Sequence, residues 1–184
     1  MFGKDWLGVN YFYQSFERRL YLSEDRMSAH VDETIVLGAI CRQMTEYISE
    51  HYVTNGSVEN IHLDGEPFDV DERVGINTSS TKRIDPALKP GEKITLQKTA
   101  DYIGVFPDNL EWLSVLVAQP IGIIDYWVHF YAHDMPKEVW EHHYNVASSR
   151  HFDVFPIELE NNVAHIRVHN PDMKKAYGIR WKWD

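Results

Sequence analysis

Tyr177, Ile179, Trp181 and Trp183 occupy every second position near the end of this chain. A helix turns about 100° per residue and would scatter four such side chains around its axis. Only an extended strand puts them on one face. The same period recurs in Phe155, Ile157 and Leu159, and again in Ala164, Ile166 and Val168. Glu160-Asn161-Asn162 and Asn170-Pro171-Asp172 supply turn chemistry between these runs, so the C-terminus reads as a three-strand meander. Upstream, Ile61 and Leu63, Phe68 and Val70, and Val74 and Ile76 alternate, with a turn at Asp64-Gly65-Glu66-Pro67. Ile94-Thr95-Leu96 and Tyr102 to Phe106 read as short strands, and Asn77 to Lys82 as a polar loop. Gly122 to His133 is dense in β-branched and aromatic residues, which favours a strand. Asp108 to Ala118 fits a short helix or a buried strand equally well.

Three segments carry a different period. Val9, Phe12, Tyr13, Phe16 and Leu20 recur at three and four residues, which predicts a helix from about Asp5 to Leu22. Leu37, Ile40, Cys41, Met44, Tyr47, Ile48 and Tyr52 form a continuous stripe, which predicts a second helix over Glu33 to Tyr52 with Asp32 as its N-cap. Asp134 and Pro136 open a third helix with Val139, Trp140, His143 and Tyr144 on one side. The expected fold class is therefore α+β: two N-terminal helices, a mostly antiparallel sheet or sandwich, one further helix and the meander. The expected organisation is an aromatic helical arm over residues 1–22 and a single domain over residues 23–184.

The chain of 184 residues is long enough to bury a core without staples. Its one cysteine, Cys41, sits on the second apolar stripe and is expected in the core, which implies a reducing compartment. A net charge of −10 argues against a duplex-wrapping protein, and direct nucleic-acid binding is not expected. The start, Met1-Phe2-Gly3-Lys4-Asp5, has no secretory signal pattern. The most apolar window, Leu113 to Ala132, is interrupted by Gln119, Pro120, Gly122, Asp125 and His129, so no membrane span is expected. A cytoplasmic or virion location follows.

The candidate sites are few. Asp125, His129 and His133 are spaced by four. On a helix they would share a face as metal ligands. On a strand such positions lie about 13 Å apart and cannot share one ion. The strand reading prevails, and neither metal nor cofactor is expected. His165, Arg167 and His169 share one strand face, and Arg180 and Lys182 share another. If those strands pair, they make an anion or acidic-partner patch. Trp6, Tyr11, Phe12, Tyr13, Phe16, Arg18 and Arg19 concentrate the residue types enriched at interface centres, which marks them as a partner-binding set. No G-x-S-x-G elbow, phosphate loop or dinucleotide fingerprint occurs, and no catalytic residue is assigned.

Met1-Phe2-Gly3 with Tyr11-Phe12-Tyr13-Gln14-Ser15-Phe16 and Arg18-Arg19 resembles the start of tail-completion and sheath-stabiliser proteins of contractile-tailed phages. The resemblance implies a structural subunit of a tail or neck. Leu88-Lys89-Pro90-Gly91-Glu92, Thr99 to Val105 and Pro107-Asp108-Asn109-Leu110 resemble the sheet segment of the dUTPase and dCTP-deaminase superfamily. There the family's arginine–serine–serine motif is replaced by Trp112-Leu113-Ser114-Val115-Leu116. The leading expectation is a non-enzymatic assembly subunit, homo-oligomeric or part of a larger complex with other protein subunits. The alternative is a nucleotide-processing or metal-dependent hydrolase using the central His and Asp residues.

Overall fold

A computed structural model describes residues 11–68, 70, 72–74, 77–145 and 152–184. Its regular structure there is strand throughout: fourteen strands, and no helix among the described residues. In chain order they are β1 (Tyr11–Leu22), β2 (Ala29–Ala39), β3 (Met44–His51), β4 (Ser57–Leu63), β5 (Glu66–Pro67), β6 (Glu72–Val74), β7 (Asn77–Leu88), β8 (Lys93–Ile103), β9 (Leu110–Leu116), β10 (Ile121–His129), β11 (Glu138–Asn145), β12 (Phe152–Pro156), β13 (Val163–His169) and β14 (Lys175–Lys182). They form a seven-stranded sheet β13-β10-β1-β2-β8-β4-β5, a four-stranded sheet β12-β11-β14-β9 and a three-stranded sheet β3-β7-β6. Pairing in the largest sheet is antiparallel except between β1 and β10.

The α+β expectation is thus wrong, and each of its three helices is a strand or a pair of strands. The first is β1, which lies inside the large sheet between β10 and β2. Its residues 11–22 belong to the body and are not a helical arm. A register shift between Tyr13 and Ser15 keeps Tyr13 and Phe16 on one face, and this bulge produced a false three-residue spacing. The second expected helix is two strands, β2 and β3, parted at residues 40–43 and placed in different sheets. Cys41 lies in that connection and is exposed, not buried. The third is β11, between β12 and β14. Asp108 to Ala118 contains strand β9. Of the C-terminal runs, those over residues 164–168 and 177–181 are strands, whereas β12 takes in Phe155 and leaves out Ile157 and Leu159. Nor do they form a meander, since β13 joins the large sheet beside β10, and β14 joins β11 and β9.

One buried cluster draws on all three sheets, with Leu20, Ile35 and Leu96 from the largest, Ile179 and Trp181 from the second, and Met44, Tyr47 and Ile84 from the third. Trp181 is its largest fully buried side chain and meets Phe106 and Phe130 at ring-centroid distances of 5.3 and 5.9 Å. The Asp64-Gly65 turn joins β4 and β5 with both residues at positive φ, 55° and 82°, the geometry that lets a two-residue loop follow the strand twist.

Because β1 is hydrogen-bonded on both sides, removing it exposes two strand edges and one row of the core. A chain lacking residues 1–22 should show no cooperative thermal transition by circular dichroism. A truncated chain that melts cooperatively would return this segment to the status of a detachable arm.

Candidate functional site

The inner face of the large sheet is apolar in two rows. Phe16 stands opposite Ile124 and Ile35, and Ile35 opposite Leu96. Leu20 stands opposite Val128 and Val31, and Val31 opposite Ala100. The row between them is charged: Tyr126, Arg18, Glu33 and Lys98 are neighbours across β10, β1, β2 and β8. Directly opposed side chains on neighbouring strands start only about 5 Å apart at Cβ, so register alone brings the three charges into contact. Arg18 Nε donates to Glu33 Oε1 at 2.7 Å, and its Nη2 lies 2.5 Å from the same oxygen. Lys98 Nζ lies 2.5 Å from Glu33 Oε2. From β3, Ser49 Oγ and His51 Nε2 accept from Lys98 Nζ at 2.9 and 3.4 Å. With Nε2 accepting, the ring hydrogen sits on Nδ1, which donates to Tyr102 Oη at 3.0 Å. Lys98 thus has one charged and two neutral polar neighbours.

Burial works against every charge in this row, and pairing decides which survive. Burial alone would raise the Glu33 carboxyl. The attraction of Lys98, then Arg18, overcomes it and holds the group at about 2. Burial would lower the Arg18 guanidinium, but Glu33 keeps it above its ordinary value. Lys98 is lowered, by burial first and by Arg18 in addition, with Glu33 opposing. His51 falls to about 3, mainly by burial and then by Lys98, so it is neutral. The site carries two cations and one anion.

These residues form the floor of a cavity of about 640 Å³. Its walls are β3 and the segment that follows it on one side, and β9 on the other. Consecutive residues line it, from Tyr47 to Thr54 and from Glu111 to Leu116. Alternate residues of a strand point to opposite faces, so a wall made of consecutive residues is a strand edge. Both edges are free among the described residues: β3 pairs with β7 alone and β9 with β14 alone. Ile48, Tyr52, Trp112 and Leu116 are exposed at this opening. Glu111 sits on the β9 wall and accepts from the Asp108 backbone N–H at 2.5 Å. Burial raises its carboxyl to about 7; that hydrogen bond opposes the rise, and the charge of Asp108 adds to it.

No family model and no curated protein matches the chain. Solved structures do. A native leukotriene A4 hydrolase from yeast is similar with a TM-score of 0.53 at 10% identity, covering 94% of this chain and 29% of the hydrolase. An M1 zinc metallopeptidase variant from Deinococcus radiodurans, bound to a Tyr-Ser-Ala substrate, is similar with a TM-score of 0.51 at 10% identity, covering 94% of this chain and 43% of the peptidase. This chain therefore spans less than half the length of either. At such identity the likeness concerns the fold alone.

The structure redistributes the residues singled out in the sequence. Within the aromatic set, Tyr13, Phe16 and Arg18 line the cavity. Phe12 instead lies over Gly38, so closely that a Cβ added to the glycine would come within 2.5 Å of the phenyl ring. Arg19 is on the outer face, 4.9 Å over the Trp127 ring. Trp6 lies outside the described residues. Asp125 and His129 share the outer face of β10, where Asp125 accepts from Arg167 and pairs with His165 at 2.5 Å. His129 stacks on Tyr21 at 4.4 Å. His133, in the loop beyond, packs edge-on to Tyr131. Among the described residues, no three His, Cys, Asp or Glu side chains converge as metal ligands. The basic patch is divided: His165, Arg167 and His169 are on β13, and Arg180 and Lys182 are on β14 in a different sheet. Glu33, His51 and Lys98 were not singled out.

The shifts set a pH dependence. Glu33 is depressed, so its pairing contributes stability above its ordinary 4.5 and loses it as pH falls toward 2. His51 is held neutral, so the unfolded chain gains a proton that the fold refuses once pH falls below 6.5. Both terms lower stability in acid. Glu111 has the opposite sign: its contribution is fully present below its ordinary 4.5 and is lost as pH rises through about 7. The melting temperature should fall from pH 6.5 to pH 3. Glu111→Gln should raise it at pH 8, with the gain shrinking toward pH 5. Lys98→Ala, which leaves part of a buried ion cluster uncompensated, should cost about 3–5 kcal/mol in urea unfolding. A cost under 1 kcal/mol would mean the cluster is solvated.

Proposed function

We propose that this chain is a non-catalytic binding module that takes an extended polypeptide segment of a partner subunit into the cleft between β3 and β9. The observation that carries this reading is the pair of free strand edges that line one cavity. A free edge presents unpaired N–H and C=O groups in a row, and the group that satisfies them along several residues is another extended main chain. Alternate side chains of the guest would enter the cavity or pack on Ile48, Trp112 and Leu116 at its opening.

The reading keeps the coarse form of the assembly role expected from the sequence: a subunit that joins other polypeptides, as a phage tail or neck component would. The peptide bound by the similar metallopeptidase belongs to the same ligand class, although that protein is more than twice as long. The hydrolase alternative has less behind it, since Asp125 is engaged by Arg167 and His165, and His129 by Tyr21.

Amidated hexapeptides of alternating apolar and polar residues, labelled for fluorescence anisotropy, supply the test. Binding should slow amide exchange within Glu46–His51 and Leu110–Leu116 and leave the distal strand β13 unchanged. Trp112→Ala and Ile48→Glu alter exposed side chains, so their melting temperatures should stay within a few degrees while affinity falls at least tenfold. Protection confined to β13 or β12, or full affinity in both variants, would place the binding surface elsewhere.

A further inference from the structure

The cavity has an asymmetry that main-chain pairing does not use. Its opening is apolar, with Ile48, Trp112 and Leu116, whereas its floor is ionic, with Arg18, Glu33 and Lys98. The floor does not balance. Arg18 is 8% exposed, Lys98 4% and Glu33 1%, and His51 beside them is neutral. Among the described residues, Glu33 is the only carboxylate within ion-pair distance of either cation. The other acids that line the cavity lie elsewhere: Glu111 is tied to the Asp108 backbone, and Glu50 and Asp108 are exposed. One positive charge is left without a partner in a region where water cannot screen it well, and an isolated buried charge is costly.

We propose that the floor of the cavity is a carboxylate-binding site, filled by the free C-terminal carboxylate of the bound polypeptide. This rests on the reading that an extended segment occupies the cleft. The Arg18 guanidinium meets Glu33 through Nε and Nη2 and keeps Nη1 outside that pair. A guanidinium carries five N–H donors in a fixed fork, so one carboxylate does not exhaust it. Tyr13 and Tyr47 also line the cavity, and both phenols are held protonated, principally by burial. Tyr13 is hydrogen-bonded to Tyr11, whereas Tyr47 accepts from Ser49 and keeps its own O–H as a donor suited to an anionic oxygen. A carboxylate seated here would bring the floor to two positive and two negative charges. The chain leading away from it would run between the β3 and β9 edges to the apolar opening.

Four probes separate the sources of a carboxylate: acetyl-Leu-Thr-Leu-Thr-Leu as free acid, the same peptide as C-terminal amide, the amide with an internal Asp replacing the central Leu, and decanoate. Titration calorimetry on the full chain should show the free acid binding at least tenfold tighter than the amide. Lys98→Met neutralises the floor and should bring that ratio close to one. Glu33→Gln adds one positive charge and should widen the ratio. The wild-type comparison decides the matter even if neither variant folds. Equal affinity for acid and amide overturns the carboxylate site and leaves the polypeptide reading intact. Tight binding of decanoate with none of the three peptides bound keeps the carboxylate site and removes the polypeptide reading. Preference for the internal Asp peptide overturns the chain-end assignment, and failure of all four probes overturns both proposals.

Discussion

Arg18, Glu33 and Lys98 hold the centre of the large sheet in one register. Each stands on a different strand, and all three point to the same side. A slip of β1, β2 or β8 by one residue would turn its charge to the outer face and bring its outer residues inward, because side chains alternate with a period of two. It would also strand the remaining charges without their partner, a far larger penalty than a misplaced leucine. Apolar rows such as Phe16–Ile35–Leu96 and Leu20–Val31–Ala100 tolerate neighbouring registers better, since one aliphatic contact substitutes for another. The ionic row is what makes the pairing unique. Lys98 extends this control to another sheet by bonding Ser49 and His51 of β3.

That arrangement explains why a cavity persists in an otherwise close-packed interior. Charged side chains with assigned partners cannot collapse onto β9 as aliphatic ones would, so the space between β3 and β9 stays open over the row. Trp181 of the second sheet and Tyr47 and Met44 of the third share one buried cluster with the first. Binding and stability are therefore drawn from the same residues: the row that fixes the sheet is also the floor of the cleft.

The strands of the C-terminal half were legible because their alternation is clean: β10, β13 and β14 fall on runs such as Tyr177, Ile179 and Trp181. The N-terminal strands were not, for reasons visible in the residues. In β1 the inward series is Phe16, Arg18, Leu20; in β2 it is Val31, Glu33, Ile35; in β8 it is Leu96, Lys98, Ala100. Each has a charge at the central inward position, so period two is interrupted where it would have been diagnostic, and the bulge near Gln14 supplied a helical spacing instead. The missed signal was the recurrence itself: one charge flanked at both second neighbours by apolar residues, three times, in the order positive, negative, positive. Nor could the sequence show that β13 and β14 part company, because both alternate equally well and the choice is made by β10 and β11.

The net charge of −10 and the positive floor of the cleft then act on different length scales. At physiological ionic strength the Debye length is about 8 Å, so the acidic surface acts on an approaching partner only near contact. A polyacidic segment would meet that repulsion at many points and gain at one. A segment with a single carboxylate at the end of an apolar, alternating run meets little of it and delivers its one charge where screening is poorest. The outer-face acids reinforce this selection, since Asp32, Asp101 and Asp125 are already paired with His30, His165 or Arg167 and offer little to a basic competitor. Selectivity in the cleft thus follows from where charge is buried rather than from how much the chain carries.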